Sequence, residues 1–374
     1  MLKIIFGNPS IRDAKKEKDQ RRSKMVLPNL ELKTMMAGEP LDWLNQAVQE
    51  ANGLKNMPQY SEIENSILKL VKKEYPKAKA YTFGSRVNGM GSKASDLDFF
   101  LDVDNTYNTY NETRDDKVKR LRKVRALMLN EKLEWKNIVA IEDARVPILR
   151  AFNASLLLDV DISFSNGLGT CNSRLIEYFF VLQPLCNKMC IYLKKWLKLS
   201  GLQNCISTYN LAMMVIFYLQ LEKLLPSVQI LQSGVTPLEI GPWIANFEQK
   251  SLEELKLPYV EDTDQVVMKN LKKFFDLYRR LPLKKTIISP YLGCTVDRND
   301  LKKHSKQLER LVHDNPNNGL AIDKPVCVQD PLELNHNLAK GIPERLCALM
   351  LHFFDLSAQI LEKKLVANNK TGTK

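Results

Sequence analysis

In the stretch FGSRVNGMGSKASDLDFFLDV, Asp96 and Asp98 flank a single leucine, ten residues after a Gly84–Ser85 pair. Alternate side chains of a strand share a face, so the two carboxylates would stand together, ~6.5–7 Å apart at Cα, beside apolar Leu97. Such a pair repels itself unless a cation or a proton intervenes. A second run, LLLDVDISF, offers Asp159 and Asp161 on one face of another strand, and parity alone does not separate them. Three carboxylates suit divalent magnesium, which takes hard oxygen ligands and keeps part of its shell for substrate phosphates. Two such ions ~3.5–4 Å apart can clamp the attacking and leaving oxygens of an in-line displacement. The Gly84–Ser85 pair ends a strand-like run and opens a short helix, a place where backbone N–H groups hold a phosphate. Alone it is an ordinary turn, and the spacing to the aspartates gives it weight.

These residues sit in a segment of β-like runs. KAYTFG, DLDFFLDV, NIVAIED, VPILRAF and SLLLDVDISF lie between residues 77 and 166, with one helix near 112–134. Helical periodicity precedes them at 40–52 and in SEIENSILKLVKKEY. It dominates after residue 166, in SRLIEYFFVLQPL, CNKMCIYLKKWLKLS, STYNLAMMVIFYLQLEKLL, 264–280 and 343–364. The expected architecture is α+β: a mixed-sheet catalytic domain at 57–166, and a mostly helical domain made of 36–56 with 167–365, with a nucleotide cleft between them. Residues 1–35, which carry DAKKEKDQRRSK, read as a mobile charged arm, and 366–374 as a tail. The segments 242–258 and 282–325 read as loops.

Fifty-five basic against 43 acidic residues give a net charge of +12, which favours a polyanionic partner or a phosphate-rich substrate. The seven cysteines form no CxxC pair, which argues against structural zinc and a disulfide framework. The longest apolar run, Leu211 to Leu219, is far short of a membrane span. A reducing, cytoplasmic setting without membrane attachment is expected.

The GS pair, the DLD triplet, ARVPILR and DVDISF together resemble the polymerase-beta-type nucleotidyltransferases. Within them the chain is similar to the terminal uridylyltransferases and cytoplasmic poly(A) polymerases. VCVQDPLELNHNLAKGI matches the poly(A)-polymerase-associated segment of their helical domain, so the resemblance spans roughly residues 40 to 365. It implies a polymerase-beta-like palm with Mg2+ or Mn2+ on Asp96, Asp98 and Asp161, Asp159 being the rival for the third place. It gives Gly84 and Ser85 the triphosphate, with Lys194 and Lys198, which share a helix face. Asn172 and Ser173 resemble the ribose-reading pair, although a plain helix cap by Asn172 explains the same residues equally well.

Thr208–Tyr209 resembles a Ser–Tyr pair that bonds phosphate and stacks on the base, and His336 the histidine that selects uracil. Nearby Asp330, Glu333 and Asn335 could orient that imidazole. Lys117, Lys119, Arg120, Arg122, Lys123 and Arg125 could follow an RNA backbone, but a solvated face is the more frequent explanation of such a run. The resemblance implies template-independent transfer of UMP from UTP to single-stranded RNA 3′ ends by a monomer, with a 3′-to-5′ exoribonuclease as a partner. Poly(A) addition from ATP and a catalytically silent RNA-binding scaffold are the alternatives.

Overall fold

The computed structural model describes residues 30–38, 41–131, 133–303 and 319–371. Most of the charged arm lies outside them. Its last residues do not: Leu30–Ala37 forms helix α1, because Leu32, Met35 and Met36 share a face that is buried against the helical core. Helices α2 (Asp42–Leu54) and α3 (Pro58–Val71) follow, the latter opened by a proline whose missing N–H costs nothing at that position.

The next elements are β1 (Lys79–Phe83), the single-turn α4 (Ser85–Asn88), β2 (Leu97–Asp102), α5 (Arg114–Leu129), β3 (Trp135–Ile141), β4 (Ile148–Asn153) and β5 (Leu158–Ser163). They build a mixed five-stranded sheet of order β1-β2-β5-β4-β3, in which only β2 and β5 run parallel. Leu97, Phe99 and Leu101 of β2 and Val160 and Ile162 of β5 are completely buried in one apolar cluster with Ile63 and Ile67 of α3 and Leu121 and Val124 of α5. Period-two alternation then forces Asp98 and Asp161 onto the opposite face.

A second core fills the rest of the molecule. It is built by α6 (Leu168–Leu182), α7 (Pro184–Leu199), α8 (Thr208–Leu221), the short α9 (Val228–Gln232) and two-residue strands β6 (Glu239–Ile240) and β7 (Trp243–Ile244). It continues with α10 (Asp264–Arg280), strands β8 (Thr286–Ser289), β9 (Cys294–Asp297) and β10 (Cys327–Val328), and α11 (Glu344–Thr371). Trp196 stacks on Phe354 and meets Phe275 and Phe353, which ties α7, α10 and α11 together.

The stretch 282–325 is not simply a loop, because Thr286–Ser289 is fully buried and pairs with both β9 and β10. Within 242–258, Trp243–Ile244 pairs with Glu239–Ile240. The expected tail is helical through Thr371, continuing α11. All seven cysteines are free thiols. Among the described residues no helix is long and apolar enough to cross a membrane.

Candidate active site

A cavity of about 580 Å³ lies between the sheet and the helical core, lined by residues of both. At one end are Gly84, Ser85 and Asp98, and at the other Tyr209, Asp330, Glu333 and His336, with Asn172, Ser173 and Thr208 along the wall.

Gly84 adopts φ +83° and ψ −163°, a conformation open essentially to glycine. A Cβ built there would fall 2.0 Å from Asp98 Oδ2, so the missing side chain makes room for the carboxylate. The turn is held from several sides. The Gly84 N–H donates to Ser173 Oγ at 2.8 Å, Asn187 Nδ2 donates to Gly89 O at 2.8 Å, and Lys194 Nζ donates to Met90 O at 2.8 Å. Arg86, almost fully buried, donates to the carbonyls of Ser95 and Lys93 and to Tyr60 Oη, which fixes the loop leading to Asp96. Asp96 itself lies just before β2 rather than within it.

The parallel register sets Asp98 beside Asp161. Burial, then the charges of Asp161 and Asp96, push the Asp98 carboxyl up to about 7. Asp96 is raised for the same reasons, in spite of Arg150. Arg150, the cross-strand neighbour of Asp161 on β4, grips it with two of its three nitrogens: Nε to Oδ1 at 2.8 Å and Nη2 to Oδ2 at 2.6 Å, with Nη2 also 3.4 Å from Asp96. The guanidinium thus supplies part of the positive charge that this cluster demands. Asp159 is exposed on the same strand and has no such grip, so burial distinguishes the two candidates where parity does not. The donor set fits a hard divalent cation: carboxylates on adjacent strands, held ionised only against burial and mutual repulsion.

Asn172 is not a helix cap, since α6 begins at Leu168 with Gly167 before it. Its Oδ1 is buried without a hydrogen-bond partner among the described residues, and the residue is part of the cavity wall. Ser173 is engaged by the Gly84 N–H and donates to Gly169 O, so it positions the turn. Neither Lys194 nor Lys198 lines the cavity. Burial draws the Lys194 ammonium down and commits it to Met90 O, while Lys198, one turn further, is exposed.

At the far end Tyr209 Oη donates to Asp330 Oδ2 at 3.1 Å, and Asp330 Oδ1 accepts the N–H groups of Leu332 and Glu333. His336 Nδ1 lies 3.4 Å from Glu333 and 3.9 Å from Asp330, yet makes no hydrogen bond among the described residues. Glu333 is also gripped from the sheet side, by Arg145 Nη2 at 2.7 and 2.8 Å and by Tyr110 Oη at 3.1 Å.

The roles of Arg145, Arg150 and Tyr110 were not visible in the sequence, although both arginines lie within ARVPILR. Half of the basic run is compensated on the sheet domain: Arg120 by Asp104 and Glu112, Arg122 by Glu142, and Lys123 by Glu74.

Residues 45–180 match the central palm domain of the type "Poly(A) RNA polymerase, mitochondrial-like". Human terminal uridylyltransferase 7 is 26% identical over 303 residues, which cover 78% of this chain and 19% of that protein. Drosophila melanogaster poly(A) RNA polymerase gld-2 homolog A is 29% identical over 233 residues, 61% of this chain and 17% of the relative. The chain therefore spans about a fifth of the length of these relatives. Among solved structures, mtPAP in complex with UTP superposes with a TM-score of 0.70 at 19% identity, covering 91% of this chain and 73% of that one. Trypanosoma brucei terminal uridylyl transferase 4 with bound GTP gives 0.62 at 18%, covering 86% and 99%. With a stretch that matches a poly(A) RNA polymerase palm joined to a helical domain, the chain is similar to terminal uridylyltransferases and poly(A) RNA polymerases and shares the fold of their solved structures.

Proposed function

We propose that the chain is an RNA terminal uridylyltransferase, which transfers UMP from UTP to an RNA 3′ hydroxyl without a template and releases pyrophosphate. One observation carries this reading: a single cavity joins the Gly84–Ser85 turn and Asp98 at one end to Tyr209, Asp330, Glu333 and His336 at the other. A nucleoside triphosphate is a molecule of that kind, charged at one end and flat at the other.

Asp96, Asp98 and Asp161 would hold Mg2+ or Mn2+, which when bound supplies the positive charge that steadies the attacking and leaving oxygens. The chain's own groups do the rest. The turn and Ser85 receive the triphosphate, Asn172 Oδ1 accepts a ribose hydroxyl, and Tyr209 stacks on the base. Asp161, oriented by Arg150, draws the proton of the 3′ hydroxyl. Stacking tolerates any base, so the choice of uracil falls to the polar groups around His336.

The test is incubation of the protein with single-stranded RNA, Mg2+ or Mn2+ and each nucleotide separately. Extension with UTP in excess of the other three is expected. Extension mainly with ATP would replace this reading with poly(A) addition, which the gld-2 relative makes the natural rival.

A further inference from the structure

Resting on the UTP reading, the base end of the cavity holds a group that neither the family resemblance nor the mechanism above employs. Both carboxylates there are already engaged as acceptors. Asp330 receives Tyr209 Oη and two backbone N–H groups, and Glu333 receives Arg145 and Tyr110. Two cationic side chains, Lys117 and Arg145, line the cavity, and Arg145 is neutralised by Glu333. Lys117, on the second turn of α5, is half-buried and makes no hydrogen bond or ion pair among the described residues. The charges that act on it are Glu112, Arg145, Glu333 and Arg120, and of these Arg145 and Glu333 line the same cavity as Lys117. Burial draws its ammonium below the ordinary lysine range, opposed by Glu112 and Glu333 and reinforced by Arg145 and Arg120.

An ammonium only donates. Facing a carbonyl oxygen it makes a charge-assisted hydrogen bond, whereas facing an exocyclic amino group it sets donor against donor in a partly desolvated site. We propose that Lys117 is a specificity-determining residue of this site, reading a pyrimidine carbonyl at the position where cytosine carries an amino group, and so favouring UTP over CTP. This is discrimination of a kind that steric exclusion of purines by His336 cannot give, because uracil and cytosine have the same outline.

The test compares wild type, Lys117→Met, which keeps length and loses the donor, and Lys117→Arg, which keeps charge and donors. For each, kcat/KM is measured with UTP, CTP and ATP on one RNA, together with Tm and the KM for RNA. Wild type is expected to prefer UTP to CTP, Lys117→Met to lose roughly tenfold or more of that ratio through a higher KM for UTP, and Lys117→Arg to restore most of it. An unchanged UTP:CTP ratio in folded Lys117→Met overturns the assignment. So does a raised KM for RNA at constant ratio, which would make Lys117 a backbone contact. Failure of the UTP reading is seen separately, in the wild type: a preference for ATP would sink that reading, and with it a carbonyl-reading lysine.

Discussion

Replacing Asp98 with asparagine should abolish transfer and yet stabilise the metal-free protein, by an amount that depends on pH. Burial and the charges of Asp161 and Asp96 raise this carboxyl from 3.8 to about 7. Below pH 4 both folded and unfolded chains carry the proton, and Asp98 and asparagine are near equivalents. Between pH 4 and 7 the unfolded chain ionises while the folded one holds its proton, so the wild type loses stability as pH rises, and above 7 the loss is complete. A displacement of roughly three pH units at about 1.4 kcal/mol each sets a ceiling of about 4 kcal/mol. Since neighbouring carboxylates titrate together and water reaches the rim, a gain of about 1–3 kcal/mol for Asp98→Asn at pH 8 is the realistic expectation.

The assay is thermal unfolding in EDTA from pH 4 to 8, repeated with Mn2+. The variant should match wild type at pH 4 and exceed it by several degrees at pH 8, at roughly 2–4 °C per kcal/mol. Mn2+ should raise the wild type more than the variant. A variant no more stable than wild type at pH 8 in EDTA, or equally stabilised by Mn2+, would refute the argument that these carboxylates are held for a cation.

Gly84→Ala should lose transfer at least ~100-fold, since its Cβ would fall 2.0 Å from Asp98 Oδ2 and displacements near 1 Å at reacting groups cost that much; kcat at saturating Mn2+ checks it, and activity within a factor of three of wild type would contradict it. Asp161→Asn should be far more damaging than Asp159→Asn in single-turnover transfer, because Asp161 is buried beside Asp98 while Asp159 is exposed. His336→Ala should raise ATP use relative to UTP by about 1–3 kcal/mol in the ratio of kcat/KM values, the scale of pocket-fit discrimination; a constant ratio would remove His336 from base selection. Arg145→Met should weaken UTP binding, since it releases Glu333 from the sheet side, and isothermal titration with UTP in the absence of RNA reads this directly.

The palm was legible because its signals are local. Alternation in DLDFFL and LLLDVDIS is enough to put the aspartates on one face and the leucines, valine and isoleucine on the other. The choice of Asp161 over Asp159 needs burial, which alternation does not carry. Arg150 meets Asp161 only through the antiparallel register of β4 and β5, and Tyr110 and Arg145 reach Glu333 across separations of 223 and 188 residues. No pattern along the chain encodes such meetings. Thr286–Ser289 was passed over because four residues are too few to show a period, and Asn172 was read too near its helix start because α6 opens one turn earlier, on Leu168-Gly169-Thr170.

The turn after β1 belongs by sequence to the sheet, yet Ser173, Asn187 and Lys194, its 2.8 Å tethers, stand on α6 and α7. A fragment ending at the last strand would keep Gly84, Ser85 and Asp98 in its chain and lose all three anchors. Truncation, even where the sheet survives, should therefore leave a palm whose aspartates are present but whose Gly84–Ser85 turn has lost its tethers. The smallest unit able to hold this turn in place is then not the sheet domain alone: it includes the first two long helices that follow it.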